Sequence, residues 1–354
     1  MKINLSGLDM GQTEHWAEDL GLEPYRGRQI RHWVFKKLAA SFEEMTNLPK
    51  PLRTVLEKKA RIKSLHQIEV LHSEDGTRKF LFQLHDGPMI ESVLIPERDH
   101  LTLCISSQAG CAMGCRFCLT AKQGFKRNLA PSEIVDQVIE VKRSLDNPEA
   151  LTNIVFMGMG EPLANYEAVI KALKNITGQE GLNFSHRKVT LSTCGLVPEM
   201  MRMGKDVTVN LAVSLNAPDD PIRDFLMPVN RKYPLKELLE ACRVFPLPNR
   251  RRVTFEYVLI GDVNDRDQDA LKLARLLSHQ KAKINLIPLN PSPGGEFSPP
   301  TAERIFRFQE ILLHRHFTAI IRKSKGADIE AACGQLSGSR QGLVREGVHR
   351  HPLD

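Results

Sequence analysis

Long apolar runs are missing from this chain: none of its stretches reaches the roughly 18 apolar positions that a membrane-spanning helix needs. The opening "MKINLSGLDMGQTEHW" likewise holds no apolar core of signal-peptide length, so the expectation is a cytoplasmic protein. Cysteine is scarce too. Seven thiols, an odd number unevenly spaced, argue against a disulfide framework and turn attention to thiol, metal or redox chemistry. Internal repeats and low-complexity segments are also lacking.

Acid is in deficit. Asp and Glu number 42 against 49 Lys and Arg, and a net charge of +7 favours a partner that offers phosphates. The stretch "RGRQIRHWVFKK", residues 26–37, concentrates this charge in Arg26, Arg28, Arg31, Lys36 and Lys37, with Ile30, Trp33, Val34 and Leu38 at helical spacing. It reads as an amphipathic helix with a basic face, for which a merely solvated face is the plain alternative.

At 42% apolar composition and 354 residues the chain can bury a large core and suits one large domain beside a small one. Residues 1–65 read as short helices broken by Gly- and Pro-containing turns, and residues 66–96 as hairpin strands around "EDGT" and "HDGP". From 97 to 337, apolar runs of strand length alternate with helical patterns, as in "NIVFMGM", "KVTLST" and "VTVNLAVSL", with "TAIIRKS" a possible extra strand. That is an α/β pattern with a parallel sheet, and periodicity leaves a doubly wound sheet and a barrel-like repeat both open. Either puts functional groups at the C-terminal ends of the strands. The tail, 338–354, reads as flexible.

"GCAMGCRFC", residues 110–118, follows the first strand of this repeat and sets Cys111, Cys115 and Cys118 on a Gly-rich loop where three thiolates can converge. Structural zinc wants four ligands, usually as two separated knuckles, and no partner knuckle exists. A four-iron cluster normally takes four thiolates, so three would leave one iron open to a ligand. In this context C-x-x-x-C-x-x-C resembles the signature of the radical S-adenosylmethionine (radical SAM) enzymes. The resemblance implies a partial (βα)6 TIM-like barrel, a [4Fe-4S] cluster on the three cysteines, and S-adenosylmethionine on the open iron. "FMGMGEP" resembles the family's glycine-rich stretch, which implies cofactor contacts at Gly160 and Glu161, and further ones at Ser192, Ser214, Leu215, Asn216 and Asn290.

"CISSQAGCAMGCRFC", "GFKRNL", "LMPVNRKYPLKELLEACR", "KINLIPLNPSPGG" and "AACGQLSG", with "YRGRQI" near the start, resemble in order the dual-specificity ribosomal RNA adenine C2 methyltransferases. Asn216 departs from that pattern, standing where a His is common. The chemistry explains the need for a radical: C2 of adenine has no nucleophilic lone pair to accept a methyl cation. By resemblance, Cys333 carries the methyl as S-methylcysteine, Cys104 resolves the adduct through a transient disulfide with Cys333, and Glu91, an acid inside an apolar strand, is the proton acceptor. The resemblance also implies two S-adenosylmethionine molecules per turnover. The targets implied are adenosine 2503 of 23S rRNA and adenosine 37 of tRNAs, taken as unstacked nucleotides. Lys122, Lys126 and Arg127 stand close enough in sequence to meet phosphates at the mouth, and a flavodoxin-type reductant and a monomeric enzyme are expected. Methylation at C8 of the same rRNA adenosine shares the cysteine apparatus, and a zinc-stabilised RNA-binding protein without catalysis is the reading from another class. Cys194 and Cys242 read as small buried residues.

Overall fold

The computed structural model describes residues 2–291 and 295–338. The expected tail beyond Gly338 and residues 292–294 of "LNPSPGG" lie outside the described residues. Ten strands form one sheet: β1 (Leu65–His72), β2 (Arg78–Leu84), β3 (Met89–Pro96), β4 (Leu101–Cys104), β5 (Leu151–Phe156), β6 (Val189–Thr193), β7 (Asn210–Ser214), β8 (Val253–Leu259), β9 (Ala282–Pro288) and β10 (Thr318–Ile321). Their spatial order follows the chain from β1 to β10, with β1 to β4 antiparallel and β4 to β10 parallel.

That order decides between the two windings left open by periodicity. A doubly wound sheet reverses its strand order at a switch point, whereas here each crossover advances one strand in the same direction, which keeps the helices on one face and curls the sheet toward a barrel. "TAIIRKS" supplies the seventh parallel strand, and segment 66–96 hydrogen-bonds directly onto it as three strands of the same sheet. The crossovers carry α4 (Pro131–Arg143), α5 (Tyr166–Thr177), α6 (Val197–Asp206), α7 (Leu235–Val244), α8 (Asp267–Leu276) and α9 (Ala302–His314), which follow α1 (Met10–Asp19), α2 (Pro24–Phe35) and α3 (Lys50–Lys59) of the N-terminal part. Proline at the first helical position starts α2 and α4, where its missing N–H costs nothing.

One face of the central strands is sealed, with Ile154, Phe156, Leu191, Val213, Phe255 and Ile284 essentially inaccessible, while Val155, Thr190, Thr254 and Asn285 on the other face are only partly buried. The N-terminal helices are clamped onto this core. Arg31, expected on the basic face of α2, is instead buried: its guanidinium donates to the Leu8 carbonyl at 2.6 Å and to the Asn175 side chain at 3.2 Å. Desolvation lowers its pKa to about 10. Helical spacing cannot tell the third side of a helix, facing a neighbouring domain, from the side facing water. Arg28, Lys36 and Lys37 do remain exposed. Among the described residues no helix is long and apolar enough to cross a membrane.

Candidate active site

The C-terminal ends of consecutive strands meet around one cavity of about 160 Å³. The loop after β4 brings Cys111, Cys115 and Cys118 to its wall; the loop after β5 brings Gly160 and Glu161; β6 and β7 bring Ser192 and Ser214, β8 brings Glu256 from its middle; Asn216 follows β7, Asn290 follows β9, and Cys333 completes the lining. Of the residues expected at a cofactor, only Leu215 is not brought to the wall. Its side chain is fully buried in the main core, its N–H donates to the Glu256 carbonyl, and its own carbonyl accepts from Arg223.

The cysteine loop is held by its backbone. Gly110 has φ of +75°, and a side chain there would place Cβ 1.9 Å from the Gly124 carbonyl oxygen, so only glycine permits the closure. Cys111 N–H then donates to that same carbonyl at 3.2 Å. Burial, with the neighbouring Cys118 and Glu161, pushes the Cys111 thiol up to about 11. Burial and the like charges of Cys118 and Cys111 raise that of Cys115 as well. Cys111 and Cys115, whose ionisation is discouraged here, stand with Cys118 on one wall as a donor set suited to a cation.

Glu161 is buried and its carboxyl is raised by desolvation. Its two oxygens accept the N–H groups of Leu163 at 3.0 Å and Cys194 at 2.7 Å. Asn216, in a left-handed conformation with φ of +57°, accepts from Val258 N–H at 2.8 Å. Asn290 donates to the Cys333 carbonyl at 3.3 Å.

Cys104 and Cys333, far apart in sequence, come close enough that Cys333 is, after burial itself, the main influence raising the Cys104 thiol. Cys333 is open toward the cavity yet surrounded by protein, and burial, with the nearby Glu256, pushes it up to about 11. Glu91 is buried, not turned outward as strand alternation would have allowed. Its neighbour Ser92 faces α4 through Gln137 at 2.8 Å, so Glu91 faces the barrel interior. Cys104 pairs across with Val93, which shares the Glu91 face, so thiol and carboxylate lie on one side of the sheet. The carboxylate is off the cavity wall, behind the Cys333 segment, where Ser337 N–H donates to it at 2.9 Å and Lys79 Nζ approaches to 3.4 Å.

Two site residues escaped the sequence reading. Glu256 stands on the wall, fully buried, accepting from Ser192 Oγ at 2.8 Å, and its signal was the one that marked Glu91: an acid within an apolar run, "VTFEYVL". Cys194 is buried as expected but also lines the cavity, beside Glu161 and Cys115. Arg127, expected to meet phosphates, is instead bidentate to Asp86 at 2.6 and 2.7 Å and also paired with Glu133, which fills the one place where His85, Asp86 and Glu133 could have held an ion. Lys122 and Lys126 stay exposed.

Residues 105–274 match the model of the radical SAM superfamily and residues 3–62 that of the ribosomal RNA large subunit methyltransferase N-terminal domain. Dual-specificity RNA methyltransferase RlmN of Geobacter sulfurreducens is 55% identical over 98% of this chain and 95% of its own length. The chain belongs to the radical SAM RNA methyltransferases. The same-named protein of Geotalea uraniireducens is 52% identical over 98% of this chain and 99% of its own. A radical SAM methyltransferase from Sphaerobacter thermophilus, solved by crystallography, superposes with a TM-score of 0.92 at 46% identity, over 95% of this chain and all of that one.

Membership of the superfamily implies a [4Fe-4S] cluster and S-adenosylmethionine, and the donor set fits. Cys111, Cys115 and Cys118 line one cavity wall, and three soft thiol donors on one wall suit an iron-sulfur cluster.

Proposed function

We propose that this enzyme methylates C2 of adenosine 2503 in 23S rRNA and of adenosine 37 in tRNAs, by way of a methylated cysteine. The observation that carries the reading is that Cys333, from the last described segment, shares one cavity wall with Cys111, Cys115 and Cys118, with Cys104 of the first barrel strand near enough to feel its charge and on the same sheet face as Glu91. Cys111, Cys115 and Cys118 would hold the cluster. Glu161, Ser192, Ser214, Asn216 and Asn290 face the space for S-adenosylmethionine, with Gly160 contributing backbone. When bound, these groups supply a methyl group and, from a second S-adenosylmethionine cleaved with one electron from a flavodoxin-type reductant, hydrogen abstraction from that methyl.

The chain's own residues do the rest. The Cys333 thiol loses its proton and its sulfur takes the methyl, giving S-methylcysteine. Once the methylene bridges Cys333 sulfur to C2, the odd-electron adduct gives up one electron, which the cluster would accept when bound, and Glu91 takes the C2 proton, so that the ring regains its aromaticity. Cys104 thiolate then attacks Cys333 sulfur; the electron pair of the S–C bond goes to the carbon, which takes a proton to become the new methyl. The Cys104–Cys333 disulfide left behind needs two electrons to reopen. Burial raises both thiols, so in the resting enzyme they are protonated and inert. The adenine must leave its stack to reach a site so deeply set, and Lys36, Lys37, Lys122 and Lys126 are among the exposed cations suited to hold its phosphates.

Anaerobic turnover of the reconstituted enzyme with a 23S rRNA fragment and methyl-deuterated S-adenosylmethionine tests this. The expected product is 2-methyladenosine with incomplete retention of deuterium. 8-Methyladenosine would move the target atom, and a fully retained deuterated methyl would remove the relay through Cys333.

A further inference from the structure

Lys79 is a charged side chain buried where no ligand, cluster or cofactor explains it. It lies on β2 opposite Val93 of β3, one diagonal step from Glu91, which is itself opposite Leu81. Strand alternation therefore puts Lys79, Glu91, Val93 and Cys104 on the same interior face. Lys79 and Glu91 are 9% and 2% exposed at their side chains, so their pairing is shielded from solvent and salt. Burying an ammonium is costly unless its protons are used, and here they are. One partner is Glu91 Oε1 at 3.4 Å; another is the backbone carbonyl of Glu330 at 3.2 Å.

The second contact gives the pair its meaning. Glu330 has a left-handed backbone, φ +52°, and stands three positions before Cys333. One ammonium thus joins the carboxylate to the base of the segment that carries the methyl-accepting thiol. The other oxygen of Glu91 is capped by Ser337 N–H, from beyond Cys333 on the same segment. For a C–H of the substrate to reach that oxygen, the Ser337 amide must move away. After it has moved, Lys79 is the partner that remains.

We propose that Lys79 is a positioning residue for release of the product: it holds Glu91 and the Glu330 end of the Cys333 segment together, so that the carboxylate stays aimed at C2 when Ser337 withdraws. This rests on the reading of Glu91 as proton acceptor. The proton goes from C2 to Glu91; Lys79 gains and loses none. Lys79 is then dispensable for methylating Cys333 and for joining it to the RNA, and needed for the step after.

A single-turnover experiment separates these steps. Holoenzymes with Lys79→Met, Lys79→Arg and Glu91→Gln, matched for iron content, are given S-adenosylmethionine, reductant and a 23S rRNA fragment. Methylated Cys333 is read by peptide mass, the protein–RNA adduct on a denaturing gel, and 2-methyladenosine by nucleoside mass spectrometry. Lys79→Met is expected to methylate Cys333 and form adduct at rates close to wild type while releasing product about tenfold or more slowly, so that adduct accumulates. Lys79→Arg, which keeps the charge and the donors, is expected to restore most of the release. If Lys79→Met releases product without adduct building up, or loses Cys333 methylation in the same proportion, Lys79 is only structural and the proposal falls, while Glu91→Gln still trapping adduct would leave Glu91 in its role. If Glu91→Gln releases product at the wild-type rate, the proton-acceptor reading fails and the role of Lys79 goes with it.

Discussion

The two cysteine-bearing segments that meet at the cavity are built in opposite ways. The loop holding Cys111, Cys115 and Cys118 is bracketed by a strand pair, Gln108–Gly110 against Phe125–Asn128, and closed by backbone bonds from Cys111 to Gly124, Cys118 to Cys115 and Arg116 to Leu226. The segment holding Cys333 has one short turn, Ala327–Ile329, and left-handed residues at Gly326, Glu330, Gly334 and Gly338. It is tied by hydrogen bonds to scattered places: Ser73, Glu74, Asp75, Lys79 and Glu91 on one side, Leu119 and Thr120 on another, Asn290 and Pro291 on a third. Ligands to a metal cluster must hold fixed separations. A thiol that carries a group from donor to acceptor and then meets a second thiol needs contacts of about 1 kcal/mol each, which can be released one at a time.

Removing a thiol from each segment should break the comparison most sharply. Cys115→Ala is expected to strip the protein of bound iron and of the visible absorbance of the cluster, and with them all turnover. Cys333→Ala should keep iron and absorbance at wild-type levels and lose only methylation of the chain and of RNA. Loss of iron in both variants would mean that the segments form one rigid unit. Next in size is an alanine in each loop. Gly110→Ala sets Cβ against the Gly124 carbonyl in a left-handed conformation and should cost about 3 kcal/mol or more, with iron lost. Gly334→Ala meets nothing closer than the Phe117 carbonyl oxygen at 3.5 Å, so only its φ of +84° is strained, and roughly 1 kcal/mol with iron retained is expected. Thermal midpoints and iron content check both.

The rigid segment was legible in the sequence and the movable one was not. Three cysteines at 111, 115 and 118 between glycines announce ligands by spacing, because a metal imposes its geometry on a short stretch of chain. Cys104 and Cys333 are each a lone thiol in an apolar setting, and only resemblance to a family paired them; their proximity depends on the path of the whole barrel. Strand positions were readable from apolar runs, as at 153–156 and 253–259, but an apolar run does not say which strand it pairs with, so winding and strand order had to come from the structure. Arg31 and Arg127 show the same limit for charge: sequence reveals a cation, and only the fold reveals that Asn175 or Asp86 already holds it.

The smallest expected effect tests the hinge end of the movable segment. Asp75 accepts from Thr77 N–H at 2.9 Å and from Gly326 N–H at 3.2 Å, and so pins the residue at which the Cys333 segment begins. Against burial, which pushes it up, hydrogen bonds from Thr77, Gly326 and Ser73 bring the Asp75 carboxyl down to about 2. A carboxyl that ionises more readily in the folded state contributes stability that is complete above its unfolded value near 4 and is lost as pH falls through about 2. Because Asp75 is solvent-exposed, that contribution is about 1 kcal/mol at most. Asp75→Asn should therefore lower the thermal midpoint slightly at neutral pH and flatten its fall between pH 4 and pH 2. Limited proteolysis should cut the variant faster between Gly326 and Cys333 while leaving 105–124 as resistant as before, since the cluster loop does not depend on that pin. Equal acceleration at both places would show that the two segments share one stability after all.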